Sequence, residues 1–404
     1  MTVEKGAEVP RSSRVNPALI RQLNLSRVFH AIRLEPGASQ RRIGERTGLD
    51  KATVSTVVAV LVDDGLVARS TVASGRPGRP EQALTVDPDG GLLIGARVEL
   101  GSVRLLAATL AGAPLTTHDQ SSEPGPEAAL DALVDGTYAL LERAGRSIDE
   151  VRAVGVGVPA LFGRDGALAL APNLGWRDVP MRARLEARLP VPVYVDNDTK
   201  AAGLAETLFG SCRGVDDFVY VAGHSGIGGA LYLGGRLYRG RDGFAGELGH
   251  LKVRPGGRRC GCGGQGCLEA YLSETALLAS AREAGLDAPT LEALARADEQ
   301  GDPAARAVLT EAGEVLGDAC ADLVNLVNPE RIVLGGAFAT AAARMLTTVE
   351  ARLDAAALPP PRERVRVGLS AFGAEAVTMG GVALALEGFL SLPGWMLARE
   401  LPPG

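Results

Sequence analysis

The chain has 404 residues, 46% of them apolar, and a formal charge of −6. That length allows two or three domains with sizeable cores and excludes a small scaffold held together by disulfides. The N-terminus lacks the apolar stretch of a signal peptide, and the longest apolar run, near Val151 to Phe162, is interrupted by Gly and Pro; the reading is a cytoplasmic chain that meets no membrane.

The charge is unevenly spread. Residues 1–85 carry 13 Lys and Arg against 8 Asp and Glu, a balance of +5, whereas the rest carries 29 against 40, a balance of −11. A small basic module ahead of a larger acidic one is the pattern of a nucleic-acid-binding head on a soluble body, although chance surface charge produces it too.

Three helices are predicted before residue 66. Asn24 to Leu34 sets Leu25, Val28, Phe29 and Ile32 at helical spacing. Ser39 is an N-cap for a helix ending at Gly48, and Asp50 caps the helix that follows, with Val54, Val57 or Val58, and Leu61 turned inward. Two helices across a tight Gly turn make a helix-turn-helix, whose second helix enters a major groove. Candidate DNA contacts are Arg41, Arg42, Lys51, Thr53, Ser55 and Thr56. Two β-prone runs then flank Gly75-Arg76-Pro77-Gly78-Arg79-Pro80, which reads as a wing whose Arg76 and Arg79 reach a minor groove, or as a flexible linker. The boundaries expected are a winged helix-turn-helix domain over 1–85, with wing and linker at about 66–88.

From about residue 90 strands and helices alternate. Gly91 to Val98 and Val103 to Leu110 form a hairpin, Ala128 to Arg143 a helix, and Val151 to Pro159 and Val191 to Val195 buried strands. Thr199 to Phe209 is helical; Phe218 to Ala222, Gly229 to Leu233 and Arg331 to Leu334 are further strands. A hairpin sheet followed by parallel βα units, twice over, implies an α/β body of two lobes with a cleft between them.

Residues 246–269, GELGHLKVRPGGRRCGCGGQGCLE, hold three of the five cysteines. Three thiolates and one imidazole, Cys260, Cys262, Cys267 and His250, form a closed tetrahedral shell suited to a structural zinc ion. Glycines 261, 263, 264 and 266 let the backbone turn the sulfurs toward one point. A metal-free reduced turn is the alternative; disulfides do not suit Cys260 and Cys262, which lie too close for separate bridges. Cys212 and Cys320 read as buried thiols. Asn173, Asp198, Glu247, His250 and Glu269 converge on the cleft, and such a set of donors and acceptors suits the vicinal hydroxyls of a sugar. Singly, Asp198 reads as an N-cap and Asn173 as a turn former.

These segments together resemble the ROK family, whose members are repressors and sugar kinases of the actin-like (ribonuclease H-like) ATPase fold. The resemblance covers nearly all of residues 15–390. It rests on GELGH…CGCGGQGCLE, VDNDTKAAGLAE, GVGVPA, APNLGW and NLVNPERIVLGG, with NLSRVFHAIR through GRPGRP matching the head of the repressor branch. It implies zinc on His250, Cys260, Cys262 and Cys267, and sugar contacts from Asn173, Asn197, Asp198, Glu247, His250 and Glu269. In the kinases the residue at Asp198 would be the general base. The phosphate turns depart from the kinase pattern. Glu99-Leu100-Gly101-Ser102-Val103 replaces acidic-x-Gly-Gly-Thr, and His224-Ser225-Gly226-Ile227-Gly228 replaces Gly-Thr-Gly-Ile-Gly. Lys200 stands where a second Asn is usual.

The expectation is a non-enzymatic regulator that binds a double-stranded DNA operator as a homodimer or tetramer and responds to a sugar or sugar phosphate. The alternatives are an ATP-dependent sugar kinase using Asp198 and a regulator governed by a protein partner. The body is expected over 89–390. Its first lobe would take about 89–200 plus a C-terminal helix at about 376–390, its second lobe about 201–375, leaving 391–404 as a tail.

Overall fold

Ser39 and Asp50 place the first helices. The computed structural model describes residues 17–72, 81–163, 166–223 and 226–391. In it α1 is Pro17–Leu34, α2 Gln40–Thr47 and α3 Lys51–Asp63. Ser39 Oγ accepts from the Arg42 amide at 3.4 Å, and Asp50 Oδ1 accepts from the Ala52 and Thr53 amides at 2.9 Å each, so both caps satisfy amides that have no partner within the helix. Gly48 ends α2 in the left-handed conformation, φ 68°. α1 begins well before Asn24. Its added turns expose Leu19, Ile20 and Leu23, so no buried stripe marks them in the sequence.

β1 (Val67–Val72) pairs antiparallel with β2 (Glu81–Val86), in register from Val67↔Val86 to Val72↔Glu81, and Ala38 bridges to Leu84. Val28, Phe29, Ile32, Ile43, Val58, Leu61 and Leu84 form the buried centre of this winged helix-turn-helix. Arg76 and Arg79 of the expected wing tip lie outside the described residues.

The chain forms two compact units. One runs to Gly90 and includes the end of the last helix from Glu387; the other is Gly91–Leu386. Within the first, the buried Gln22 donates from Nε2 to the Leu390 carbonyl, and His30 Nε2 lies 2.9 Å from Glu387 Oε1.

In the second unit β3 (Leu92–Glu99), β4 (Ser102–Thr109) and β5 (Pro114–Ser121) form an antiparallel meander. After α4 (Pro126–Ala144) comes β6 (Val151–Val158), parallel to β3. A small antiparallel sheet of β7 (Leu161–Phe162), β8 (Leu168–Ala171) and β9 (Trp176–Val179) follows, then α5 (Met181–Glu186) and β10 (Val193–Asn197), parallel to β6. The first large sheet has the order β10-β6-β3-β4-β5.

α6 (Asp198–Leu208) leads into the second, with β11 (Phe218–Gly223), β12 (Ile227–Leu233) and β13 (Arg236–Leu237). The short α7 (Glu269–Leu272), then α8 (Glu274–Glu283), α9 (Leu291–Glu299) and the 25-residue α10 (Pro303–Val327) precede β14 (Arg331–Gly336). α11 (Ala337–Thr340), α12 (Ala342–Ala356), α13 (Pro359–Arg364), β15 (Arg366–Leu369) and α14 (Ala376–Ser391) complete the chain. The second sheet reads β13-β12-β11-β14-β15, again a meander extended by parallel strands. This repeated mixed sheet is the actin-like architecture.

α14 lies against the first sheet through glycines. A Cβ on Gly95 would fall 2.0 Å from the Thr378 carbonyl oxygen, and one on Gly155 2.0 Å from that of Gly381. By length and composition Gly373–Ser391 is apolar enough to cross a membrane, which the apolar runs of the sequence do not bring out. Most of it is buried: Val377, Met379, Val382, Ala383, Ala385, Leu386 and Leu390 belong to the core.

Candidate functional site

All six residues singled out for sugar recognition line one cleft of about 320 Å³: Asn173, Asn197, Asp198, Glu247, His250 and Glu269. They come from four places in the chain. Asn173 sits in the β8–β9 turn. Asn197 ends β10 and caps α6, its Oδ1 accepting from the Lys200 amide at 2.9 Å and its Nδ2 donating to the Ala160 carbonyl at 3.2 Å. Asp198 is the first residue of α6, where the helix dipole favours a carboxylate. Its Oδ1 accepts from the Thr199 amide at 2.7 Å. Glu269 opens α7, and its Oε2 accepts from the Ile227 amide at 3.1 Å. Burial lifts the Glu247 carboxyl above the ordinary glutamate range, against the opposing pull of the Lys200 and His250 charges.

The glycines of the second phosphate turn have a task that needs no phosphate. A Cβ on Gly228 would meet Thr199 Oγ1 at 1.9 Å, and one on Gly226 would meet Glu269 Oε2 at 2.5 Å. They let β12 press against the cleft wall. His224 and Ser225 of that turn lie outside the described residues.

Two tethers hold the segment before Glu247, and neither could be paired up from the sequence. Lys200 is buried and donates from Nζ to the Gly243 carbonyl at 2.7 Å; burial holds its ammonium below the ordinary lysine range. The Arg239 guanidinium grips the buried Asp196 carboxylate at the end of β10. The replacement of Asn by Lys at 200 marked the position, but nothing local gave the partner.

The ligand atoms of His250, Cys260, Cys262 and Cys267 all lie within 4.8 Å of one another. Cys262 Sγ and Cys267 Sγ are 3.7 Å apart. A tetrahedral ion about 2.3 Å from each sulfur spaces them by roughly that distance. The donor set therefore fits a tetrahedral metal ion and leaves no ligand position open. Without metal, burial pushes the Cys260 thiol up to about 12, and the Gly264 amide holds Cys262 below the usual thiol range. The loop is shaped by Gly263 at φ 86° and Gly266 at φ 73°, where a Cβ would lie 1.9 Å from the Arg254 carbonyl oxygen. Gly261 does not share that role: its φ is not positive, and an added Cβ meets nothing within 4 Å.

A second cleft, about 450 Å³, adjoins the first and shares Pro159, Asn173 and Asp198 with it. Here lies the altered turn, with Leu100 exposed at its tip and Val103 buried in the core. Among the charged groups of its lining, Arg97 stands against Glu99, Glu274 and Asp198, and Arg97 is already bonded to Glu99. That balance disfavours a polyphosphate, which carries several negative charges.

In the head, Lys51, Ser55 and Thr56 are exposed on α3. Thr53 is half-buried, and its hydroxyl donates to Asp50 Oδ2 at 2.6 Å, which commits it to the cap. Arg41 and Arg42 are exposed on α2 and paired with Glu45 and Glu35, respectively.

Residues 97–388 match the profile of the ROK family, and residues 26–79 that of the MarR family. The xylose repressor of Caldicellulosiruptor bescii is 27% identical over 394 residues, spanning 94% of this chain and 99% of its own. A solved ROK family transcriptional regulator, described as a homolog of the E. coli MLC protein, superposes with a TM-score of 0.81 at 28% identity, over 94% of this chain and 98% of that one. A ROK family glucokinase from Streptomyces griseus, solved with glucose and AMPPNP, matches 99% of its own length but 73% of this chain, with a TM-score of 0.66 and 29% identity. The regulators match essentially end to end; the kinase leaves about a quarter of this chain unmatched.

Proposed function

Since the chain belongs to the ROK family and carries a MarR-type winged helix ahead of its ROK domain, we propose that it is a DNA-binding repressor of sugar-utilisation genes. Its body binds a sugar or sugar phosphate, and His250, Cys260, Cys262 and Cys267 hold a structural zinc ion. The observation that carries this reading is the convergence of six polar side chains on one cleft, in a chain that also has a winged head. Carboxylates accept from sugar hydroxyls, while Asn and His both donate and accept. The zinc supplies rigidity, because four protein ligands leave it no site for chemistry. It fixes the chain between His250 and Glu269, and so steadies Glu247, His250 and Glu269 at the cleft wall.

The output is DNA binding as a homodimer or tetramer, with α3 in the major groove. Arg41, Arg42, Lys51, Ser55 and Thr56 are its base and phosphate contacts, and Thr53 supports the cap beside them. Arg76 and Arg79 reach the minor groove from the wing. Paired heads must match half-sites about 34–36 Å apart, so lobe closure on sugar that alters their spacing weakens binding. A gel-shift with the chain's own upstream DNA, with and without a panel of pentoses, hexoses, N-acetylhexosamines and their 6-phosphates, tests the proposal. Expected is a specific complex released by one sugar class; absence of sequence-specific binding sinks it.

A sugar kinase is the competing reading, favoured by Asp198 at the cleft. The acidic lining of the second cleft and the Glu99–Val103 turn oppose it. A coupled ADP assay across the same sugars separates the two: turnover abolished by Asp198→Asn would establish the kinase.

A further inference from the structure

The zinc cluster has one neighbour that neither the ligand set nor the cleft uses. Lys252 pairs with Cys267 as an isolated antiparallel bridge, and its Nζ approaches Cys267 Sγ to 2.7 Å. Lys252 is otherwise exposed. Gly264 leaves it room: a Cβ there would lie 2.6 Å from Nζ.

We propose that Lys252 is a positioning residue of the metal site, whose ammonium donates to the Cys267 thiolate and offsets the excess negative charge of the cluster. Three thiolates around a divalent ion leave one negative charge uncompensated. Another sulfur of the cluster, Cys260 Sγ, lies 3.4 Å from Glu269 Oε1, a carboxylate that lines the sugar cleft. The cluster thus meets an acidic cleft residue through Cys260 and an ammonium through Cys267. An N⁺–H···S⁻ bond is charge-assisted, and it fixes the sulfur lone pairs left over from metal coordination. Lys252 lets the same rigid unit hold three thiolates and a sugar-facing carboxylate side by side. Its effect reaches the ion through Cys267 and does not depend on contact with sugar.

The inference rests on the zinc reading above, and the test separates the two. Zinc content of the purified full-length chain is measured first, then zinc affinity by competition with a chromophoric chelator for the native chain, Lys252→Met, Lys252→Gln and Lys252→Arg. Expected is one zinc per native chain, a loss of about 10-fold or more in affinity for Lys252→Met, an intermediate loss for Lys252→Gln, and recovery in Lys252→Arg, which keeps charge and donor. Circular dichroism of the zinc-loaded variants should match the native chain. Native zinc with equal affinity in Lys252→Met and Lys252→Arg overturns the role of Lys252 and leaves the zinc reading intact. A native chain that takes up no zinc overturns both. Should Lys252→Met not fold, a Lys252→Gln chain with native affinity overturns it equally.

Discussion

Gly266 carries the hardest constraint in the cysteine loop. It combines φ 73° with an Arg254 oxygen 1.9 Å from where a Cβ would stand, and that oxygen belongs to backbone. Gly266→Ala should therefore strip the metal and lower the melting temperature, while Gly261→Ala, where open space awaits the methyl, should leave metal content unchanged; atomic absorption on both proteins checks the contrast. At the cleft, Glu247→Gln should abolish the sugar-induced thermal shift with little change in the unliganded melting temperature, because the amide keeps the shape of the carboxyl and burial penalises the charged form that it removes. The clustering of His250, Cys260, Cys262 and Cys267 was legible because their ligand set is local in sequence. The convergence of Asn173, Asp198 and Glu269 was legible only through chemistry. Lys200 to Gly243 and Asp196 to Arg239 are contacts over 43 residues each, and no periodicity reports such a pairing.

Among the elements, α3 depends on its cap. The Thr53 hydroxyl and the Thr53 and Ala52 amides hold Asp50 below the ordinary aspartate range. The stability this bonding gives is fully present above that range and is lost as pH falls through the depressed value of the folded state. Asp50→Ala should lower the melting temperature of the head and flatten its loss of stability on acidification, read by circular dichroism between pH 2 and 6. Thr53→Val, which keeps the shape and drops the hydroxyl, should do so to a lesser degree. The α14 contact on the first sheet makes the opposite kind of demand. Gly155→Ala forces a methyl against the Gly381 carbonyl, and overpacking at an unyielding backbone costs about 1–3 kcal/mol or more, measurable by urea denaturation. Helices with caps and strands with apolar runs were readable in advance. β5 was not: PLTTHDQS is an edge strand with little burial, and its residues show no alternation to read. The β7–β9 sheet escaped for a similar reason, its strands being two to four residues long.

At the scale of the molecule, the charge split predicts that DNA binding by the proposed repressor weakens with salt. Removing one lysine or arginine from a DNA phosphate should flatten the slope of log affinity against log salt by about 0.9. Lys51→Ala should show that change in fluorescence-anisotropy titrations from low to physiological salt, with sequence preference little altered. The actin-like architecture was legible because the hairpin-then-parallel pattern occurs twice; the second lobe's helical cover, α8 to α12, was not placed. The last turn of α14, expected with the first lobe as part of a helix at about 376–390, groups with the first unit, where Leu390 supplies the acceptor for the buried Gln22. The DNA-binding head is consequently not a cassette. A transplanted N-terminal segment ending at Gly90 would arrive without one of its own walls, and the Gln22 amide would lose its Leu390 acceptor. Lineages that exchange heads among such proteins must carry both ends of the chain together, or repair the seam.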